Sequence, residues 1–124
     1  MSEINKPLVK QSFEIIRNFL KSAVPPCTAT VDTTTHYEVV AENNGQKHIY
    51  GYCIAHRNVV TLGFDENIPE EDFKRLIPKR LREMMNEHRR LEIREVQVNE
   101  LRADIQDALN KLLYYFNEKN WYPI

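Results

Sequence analysis

The chain has 124 residues, of which 42% are hydrophobic and 28% charged, a composition typical of one soluble globular domain. Its 17 basic and 18 acidic residues nearly cancel, so no overall charge draws the protein to nucleic acid or to a membrane surface. Only three glycines occur, and their scattered positions, Gly45, Gly51 and Gly63, exclude a P-loop and a dinucleotide-binding loop.

We expect neither export nor a membrane span from this sequence. Its first residues lack the basic start and apolar run of a secretory signal, and no apolar stretch approaches the roughly 20 residues that span a bilayer. Cys27 and Cys53 are the only cysteines and lack CxxC spacing, which is typical of a reducing compartment. We therefore expect a cytoplasmic protein that does not cross a membrane. The expected oligomeric state is a monomer or a homodimer.

The N-terminal segment has the pattern of an amphipathic helix. Pro7 suits the first turn of a helix, and apolar residues then recur at steps of three and four. The helix must end by Val24, because Pro25 and Pro26 have no amide hydrogen and disfavour helix in the preceding residue. The expected buried face consists of Val9, Phe13, Ile16, Leu20 and Ala23.

The segment 28–64 is rich in β-branched and aromatic residues and predicts a sheet. Asn44-Gly45 suits a tight two-residue hairpin turn, and continuous pairing from that turn places His36 opposite Cys53. A three-residue turn at 57–59 would place the apolar side chains of the next strand on the same face as the tyrosines. The face expected to form the core then carries Tyr37, Val39, Ala41, Tyr50, Tyr52, Ile54, Val60, Leu62 and Phe64.

The last half of the chain predicts helices around one further strand. Pro69 and its carboxylates mark a helix start, and Ile77-Pro78 predicts either a kink or a junction of two short helices. The segment 90–96 alternates charged and apolar residues, as a half-buried edge strand does. Asn99 is the expected cap of a final helix that lies across the sheet, and the apolar tail 121–124 is expected to dock on the fold.

This order of elements predicts a single α+β domain over residues 1–124, with an N-terminal helix and C-terminal helices packed on an antiparallel sheet. Three short signatures, AVP at the helix exit, GYCIAHRNVVTLGF in the sheet and RRLEIR before the last helix, resemble the YdhG-like domains, domain-of-unknown-function family 1801. The resemblance runs from about Phe13 to Phe116 and implies a small cytosolic α+β domain. Some members are described as frataxin-like iron chaperones, so iron is a ligand implied by the resemblance alone.

Two sets of residues are candidate metal ligands. As a predicted cross-strand pair, His36 and Cys53, with Glu38 one step along the same face, bring an imidazole, a thiol and a carboxylate within reach of one metal. The segment Asp65–Asp72 holds five carboxylates and no base, and such oxygen ligands suit iron or magnesium. The structural alternatives are a buried cysteine and acidic residues that stabilise a helix start. The carboxylates nearest that start are Glu70, Glu71 and Asp72.

Two further sets of residues are candidate ligand sites. The segment Lys74–Arg94 has eight bases against three acids, and Arg90 and Arg94 share the polar face of the predicted edge strand, where arginines can bind phosphate or carboxylate. The alternative is a solvated face with ion pairs. A pocket is also predicted from tyrosines on the core face, which otherwise belong to the core. These are Tyr37, Tyr50 and Tyr52.

The expected function is a binding or carrier domain for a small ligand or a metal, with an anion or nucleic-acid binding module built on Lys74–Arg94 as the alternative. No GxSxG motif or other marked nucleophile occurs, so we assign no catalytic residue. No sequence motif identifies the expected partner, which is either a small ligand or another protein.

Overall fold

The computed structural model describes residues 7–94 and 97–121, with side chains from Val9 onward. The strands form one antiparallel sheet in the order β1-β2-β3-β4-β5, which confirms the expected α+β fold. In chain order the elements are α1 (Pro7–Lys21), β1 (Thr28–Asp32), β2 (His36–Asn43), β3 (Gln46–His56), β4 (Val59–Gly63), α2 (Glu70–Leu76), α3 (Lys79–Met84), β5 (Arg90–Arg94) and α4 (Val98–Glu118).

Helix α1 makes the main contact with the sheet. It lies against β2, β3 and β4, whereas α4 packs on α1, α2 and α3. Helix α4 reaches the sheet at Tyr50, whose hydroxyl donates a hydrogen bond to the carbonyl oxygen of Leu109 at 2.8 Å. The buried face predicted from helical spacing is confirmed, because four of its residues are buried in α1 and Ala23 is buried just after the helix ends, the four being Val9, Phe13, Ile16 and Leu20.

A β-bulge in β3 changes which residues of the central hairpin share a face. Next to the turn the pairing is as expected, but farther along Val40 pairs with Ile49 and Val39 pairs with Gly51. Tyr50 is therefore the extra residue. A shift of one residue reverses which face each later side chain occupies, so the continuous pairing predicted from the sequence is wrong beyond this point.

The bulge separates residues that the sequence pattern placed together. Cys53 pairs with Tyr37 on the face covered by α1, and His36 pairs with Ile54 on the opposite face, so the predicted pair of His36 and Cys53 is wrong. Tyr52 and Ile54 lie on that opposite face too, contrary to prediction. The covered face carries Tyr37, Val39, Cys53, Ala55, Val60, Leu62, Leu91 and Ile93.

The turn before β4 compensates for the bulge. His56 pairs with Val59, so the turn has two residues and the predicted three-residue turn is wrong. The bulge inserts one residue that the prediction did not include, and the turn has one residue fewer than predicted. The two differences in register therefore cancel in β4. Val60 and Leu62 therefore share the face of Tyr37, as expected.

The C-terminal elements follow the predicted order. Ile77 ends α2 in an extended conformation, and the chain forms two short helices rather than one kinked helix. Helix α4 begins at Val98 with Gln97 as its cap residue, so the predicted Asn99 cap is wrong. Trp121 docks by stacking on His48 at 3.6 Å between ring centroids. The predictions for residues 95–96 and 122–124 fall outside the described residues. Within the described part, no helix is long and apolar enough to cross a membrane.

We expect both cysteines to be inert in the folded protein. Burial raises the pKa of Cys27 to about 11 and that of Cys53 to about 12, and the thiolate is the reactive form. At mildly alkaline pH, dithionitrobenzoate should label neither thiol in the native protein and both after denaturation, as followed by absorbance. Rapid labelling of either thiol in the native state would contradict the burial described above.

Candidate functional site

The sheet face opposite α1, which we call the open face, carries its side chains in rows that cross the strands. Strand pairing fixes these rows from β2 through β3 and β4 to β5. In the two central rows the acidic and basic residues lie on β2 and β5 and uncharged residues lie between them, so neither a uniform apolar patch nor a uniform charge covers this face. The two central rows are Glu38, Tyr52, Gly63, Arg90 and His36, Ile54, Thr61, Glu92.

Gly63 allows the Tyr52 side chain to reach Arg90. A Cβ atom at Gly63 would overlap the Tyr52 ring, so the ring lies across β4 where a side chain is missing. The Tyr52 hydroxyl accepts a hydrogen bond from Arg90 Nε at 2.5 Å, and the guanidinium carbon lies 5.8 Å from the ring centroid. Tyr52 is only 9% exposed, so its ring is a fixed support for the arginine.

Arg90 lines two open grooves of the open face. Among the described residues, no acceptor is hydrogen-bonded to its two terminal nitrogens. One groove has a volume of about 310 Å³ and the other about 640 Å³, and Arg90 lines both. The smaller is lined also by His36, Glu38, Ile49, Tyr52, Ile54 and the segment 64–67, and the larger by Thr61, Met84, Asn86 and Glu92.

Most other bases of Lys74–Arg94 have acceptors within the protein. Arg94 shares the polar face of β5 with Arg90, as expected, and its side chain contacts no described acceptor. Lys74 also has no acceptor among the described residues, but the other five bases of α2, α3 and the following turn bind carboxylates or carbonyl oxygens, so the predicted basic segment is not a continuous cationic surface. These contacts are Arg75 to Asp72, Lys79 to Glu83, Arg80 to Glu100, Arg82 to the Ile77 carbonyl and Arg89 to the Asp65 carbonyl.

The candidate metal ligands do not come together. Within residues 7–94 and 97–121, no group of three His, Cys, Asp or Glu side chains could hold a metal ion. Glu70 and Glu71 are exposed in the first turn of α2. Asp72 accepts a hydrogen bond from the Tyr115 hydroxyl at 2.6 Å and pairs with Arg75 at 3.3 Å, which ties α2 to α4.

The three candidate tyrosines are divided between the two faces. Tyr37 and Tyr50 are core residues, each 2% exposed, and Arg17 lies over the Tyr37 ring at 5.0 Å. Tyr52 alone faces the grooves, so the predicted pocket lined by all three is wrong. The bulge is the reason, because it turns Tyr50 and Tyr52 to opposite faces.

Two further residues shape the open face: Gly63, which no sequence pattern singled out, and Asp65, which the sequence pattern predicted only as part of the acidic segment Asp65–Asp72. A glycine inside a strand indicates a close approach by another group, which is the signal for Gly63. Asp65 is 2% exposed, and its Oδ1 accepts a hydrogen bond from the Asn67 amide at 2.9 Å, a turn indicated by an aspartate just after a strand. Its Oδ2 lies 3.7 Å from His48 Nδ1, so the pair fixes the loop at the end of the smaller groove.

Comparison with known proteins supplies no relative from which a function can be transferred. No family model, curated protein or solved structure matches the chain. The resemblance to the YdhG-like domains, and the iron binding that it implies, therefore stay predictions. Because a fold alone does not define a function, the function must be argued from the open face itself.

The hydrogen bond between Tyr115 and Asp72 makes stability depend on pH. The Tyr115 hydroxyl is the main cause that lowers the pKa of Asp72 below its ordinary value of about 4. A lowered carboxylate pKa stabilises the fold above that ordinary value, and the stabilisation is lost as pH falls through the folded-state pKa. Tyr115→Phe should therefore lower the free energy of unfolding at neutral pH, by an amount that shrinks below about pH 4.

Urea unfolding of both proteins across this pH range measures the difference. Tyr114, the neighbouring residue, is 74% exposed, so Tyr114→Phe is the matched control and should change nothing at any pH. A stability loss in Tyr115→Phe that is constant down to strongly acidic pH would show that the hydroxyl does not act through Asp72.

The overlap at Gly63 predicts a specific cost for a larger residue there. Gly63→Ala should displace the Tyr52 ring from Arg90 and lower the free energy of unfolding by about 1 to 3 kcal/mol, the usual cost of overpacking. In a Tyr52→Ala background the ring is absent, so the same substitution should cost much less. Urea unfolding of the four proteins gives this coupling, and an equal cost in both backgrounds would contradict the described packing.

Proposed function

We propose that the protein is a binding domain that takes a small ligand on the open face and recognises an anionic group of that ligand through Arg90. The observation that carries this proposal is the arrangement of the guanidinium group. Tyr52 accepts its Nε hydrogen, and the terminal nitrogens are left without a described acceptor beside two grooves.

An arginine in this arrangement suits carboxylate or phosphate. The two terminal nitrogens can donate a pair of parallel hydrogen bonds to such a group, a geometry that a lysine cannot offer. Because Tyr52 already limits the motion of the side chain, binding costs less conformational entropy than for a free surface arginine. Arg90 is thus better prepared for an anion than Arg94, which lacks such a support.

The groove dimensions favour a small ligand over a polymer. A volume of about 310 Å³ lies at the small end of the range of about 300 to 1,000 Å³ that is common for ligand sites. Ile49, Tyr52 and Ile54 supply its apolar lining. Nucleic acid would require several free bases along one track, and most bases of Lys74–Arg94 are engaged within the protein.

Two further observations bear on the cellular compartment and on iron as a ligand. The two buried free cysteines suit a reducing compartment, and we place the protein in the cytoplasm on that ground. An iron-carrier role is not part of the proposal, because the described residues offer no group of three suitable ligands.

A titration with caproate, a small carboxylate with an apolar chain, tests the proposal. In backbone NMR spectra at constant ionic strength, caproate should shift the amide signals of Gly63 and of the residues next to Arg90 in a saturable manner. Arg90→Gln should abolish these shifts. Arg94→Gln, which removes an arginine from the same strand and face, is the matched control and should leave them unchanged.

The proposal fails if caproate produces no saturable shifts on the open face, or if Arg90→Gln and the parent protein respond alike. Tyr52→Phe gives a second measurement, because it removes the hydroxyl and keeps the ring. It should weaken caproate binding without eliminating it, by about the factor of 2 to 10 that corresponds to one hydrogen bond of 0.5 to 1.5 kcal/mol.

A further inference from the structure

We infer that the ligand carries a cationic group in addition to its anionic group, with an apolar chain between the two. This inference rests on the proposed function, because it takes Arg90 as the site of the anionic group. It adds a second recognition residue, Glu38, and it assigns the ligand to the class of ω-amino carboxylates and longer zwitterions.

The charges of the smaller groove are the first reason. The carboxylates of Glu38, Asp65 and Glu66 line this groove together with Arg90 and His36, so acidic groups outnumber basic groups there. A ligand with an anionic group alone would enter an environment of its own sign. A ligand that also carries a cation removes this repulsion and gains an attraction.

Glu38 is the carboxylate best placed to bind the cation. Glu66 already has a hydrogen-bond partner, His88, at 3.0 Å, and Asp65 is only 2% exposed, so a ligand cannot readily reach it. Glu38 is half-buried, and its nearest described basic group is His36, at 3.9 Å. Its Oε2 lies 3.4 Å from the Thr30 hydroxyl, which fixes the carboxylate without neutralising it.

The spacing of the two charged groups sets the length of the ligand. Glu38 and Arg90 lie at opposite ends of one row, three strand spacings apart, or about 14 Å between Cα atoms at about 4.8 Å per spacing. The Arg90 side chain extends over β4 toward Tyr52, so its guanidinium group lies closer to Glu38 than the Cα spacing indicates. Tyr52 and Ile54 occupy the space between, so an apolar chain is the complementary linker.

A series of small molecules tests this ligand class. We expect ε-aminocaproate, which carries both charges, to bind about fivefold more tightly than caproate, the gain of one partly exposed ion pair of about 1 kcal/mol. Hexylammonium, which lacks the carboxylate, should bind weakly. Glycine should bind no better than acetate, because its two charges lie too close together to reach both residues.

Two variants identify the recognising carboxylate. Glu38→Gln should reduce the affinity for ε-aminocaproate to that for caproate and leave caproate binding intact or stronger. Glu42→Gln, which removes an exposed carboxylate four residues farther along the same strand, is the matched control and should keep the fivefold preference.

The outcomes separate this inference from the proposed function. Equal, Arg90-dependent binding of ε-aminocaproate and caproate would overturn the ligand class and leave the proposed function intact. A preference for ε-aminocaproate that survives Glu38→Gln would overturn the role of Glu38. Binding of neither molecule, or binding that Arg90→Gln does not change, would overturn both.

Discussion

The extra residue at Tyr50 determines which side chains of β3 reach the core and which reach the open face. The Tyr50 ring meets Phe116 of α4 edge to face at 5.9 Å between centroids, and its hydroxyl binds the Leu109 carbonyl oxygen. A buried hydroxyl needs such a partner, so α4 stabilises the bulge directly. With a continuous strand, Cys53 would face solvent and Tyr52 would face α1.

The bulge also creates the close approach between the sheet and α1. Gly51 follows the bulge on the covered face, and a Cβ atom there would lie 2.7 Å from Leu20 Cδ2. The missing side chain lets the fully buried Leu20 pack against the backbone of β3. On the other face, Gly63 gives Tyr52 the same freedom to cross β4 toward Arg90. The two strand glycines therefore serve packing on opposite faces of one sheet.

Local patterns predicted the parts of the fold that depend on local physics. The face of α1 follows from helical spacing, the break before β1 from two prolines, and the Asn44-Gly45 turn from its need for positive φ, which both residues have. The edge strand β5 follows from strict alternation and ends, within the described residues, at Arg94. These features need no information about distant parts of the chain.

The candidate site depends on contacts between distant segments, and these were only partly predictable. Arg90 and Arg94 were placed correctly on one face of β5, because a strand alternates by itself. The contact of Arg90 with Tyr52 was not predicted, because it depends on which face of the sheet Tyr52 occupies. That face is set by the bulge at Tyr50, which α4 stabilises through Leu109, about 60 residues farther along the chain. The same bulge places His36 and Cys53 on opposite faces of the sheet, so the metal site predicted from this pair does not form.

The position of the Tyr52 ring is the feature on which the account of the open face depends, and nuclear Overhauser contacts measure it most directly. The structure requires contacts from the Tyr52 ring protons to the Gly63 α-protons and to the Arg90 side chain. Contacts from that ring to Leu20 or Leu62 would place Tyr52 on the covered face, and the bulge, the support for Arg90 and the binding site would all be contradicted together.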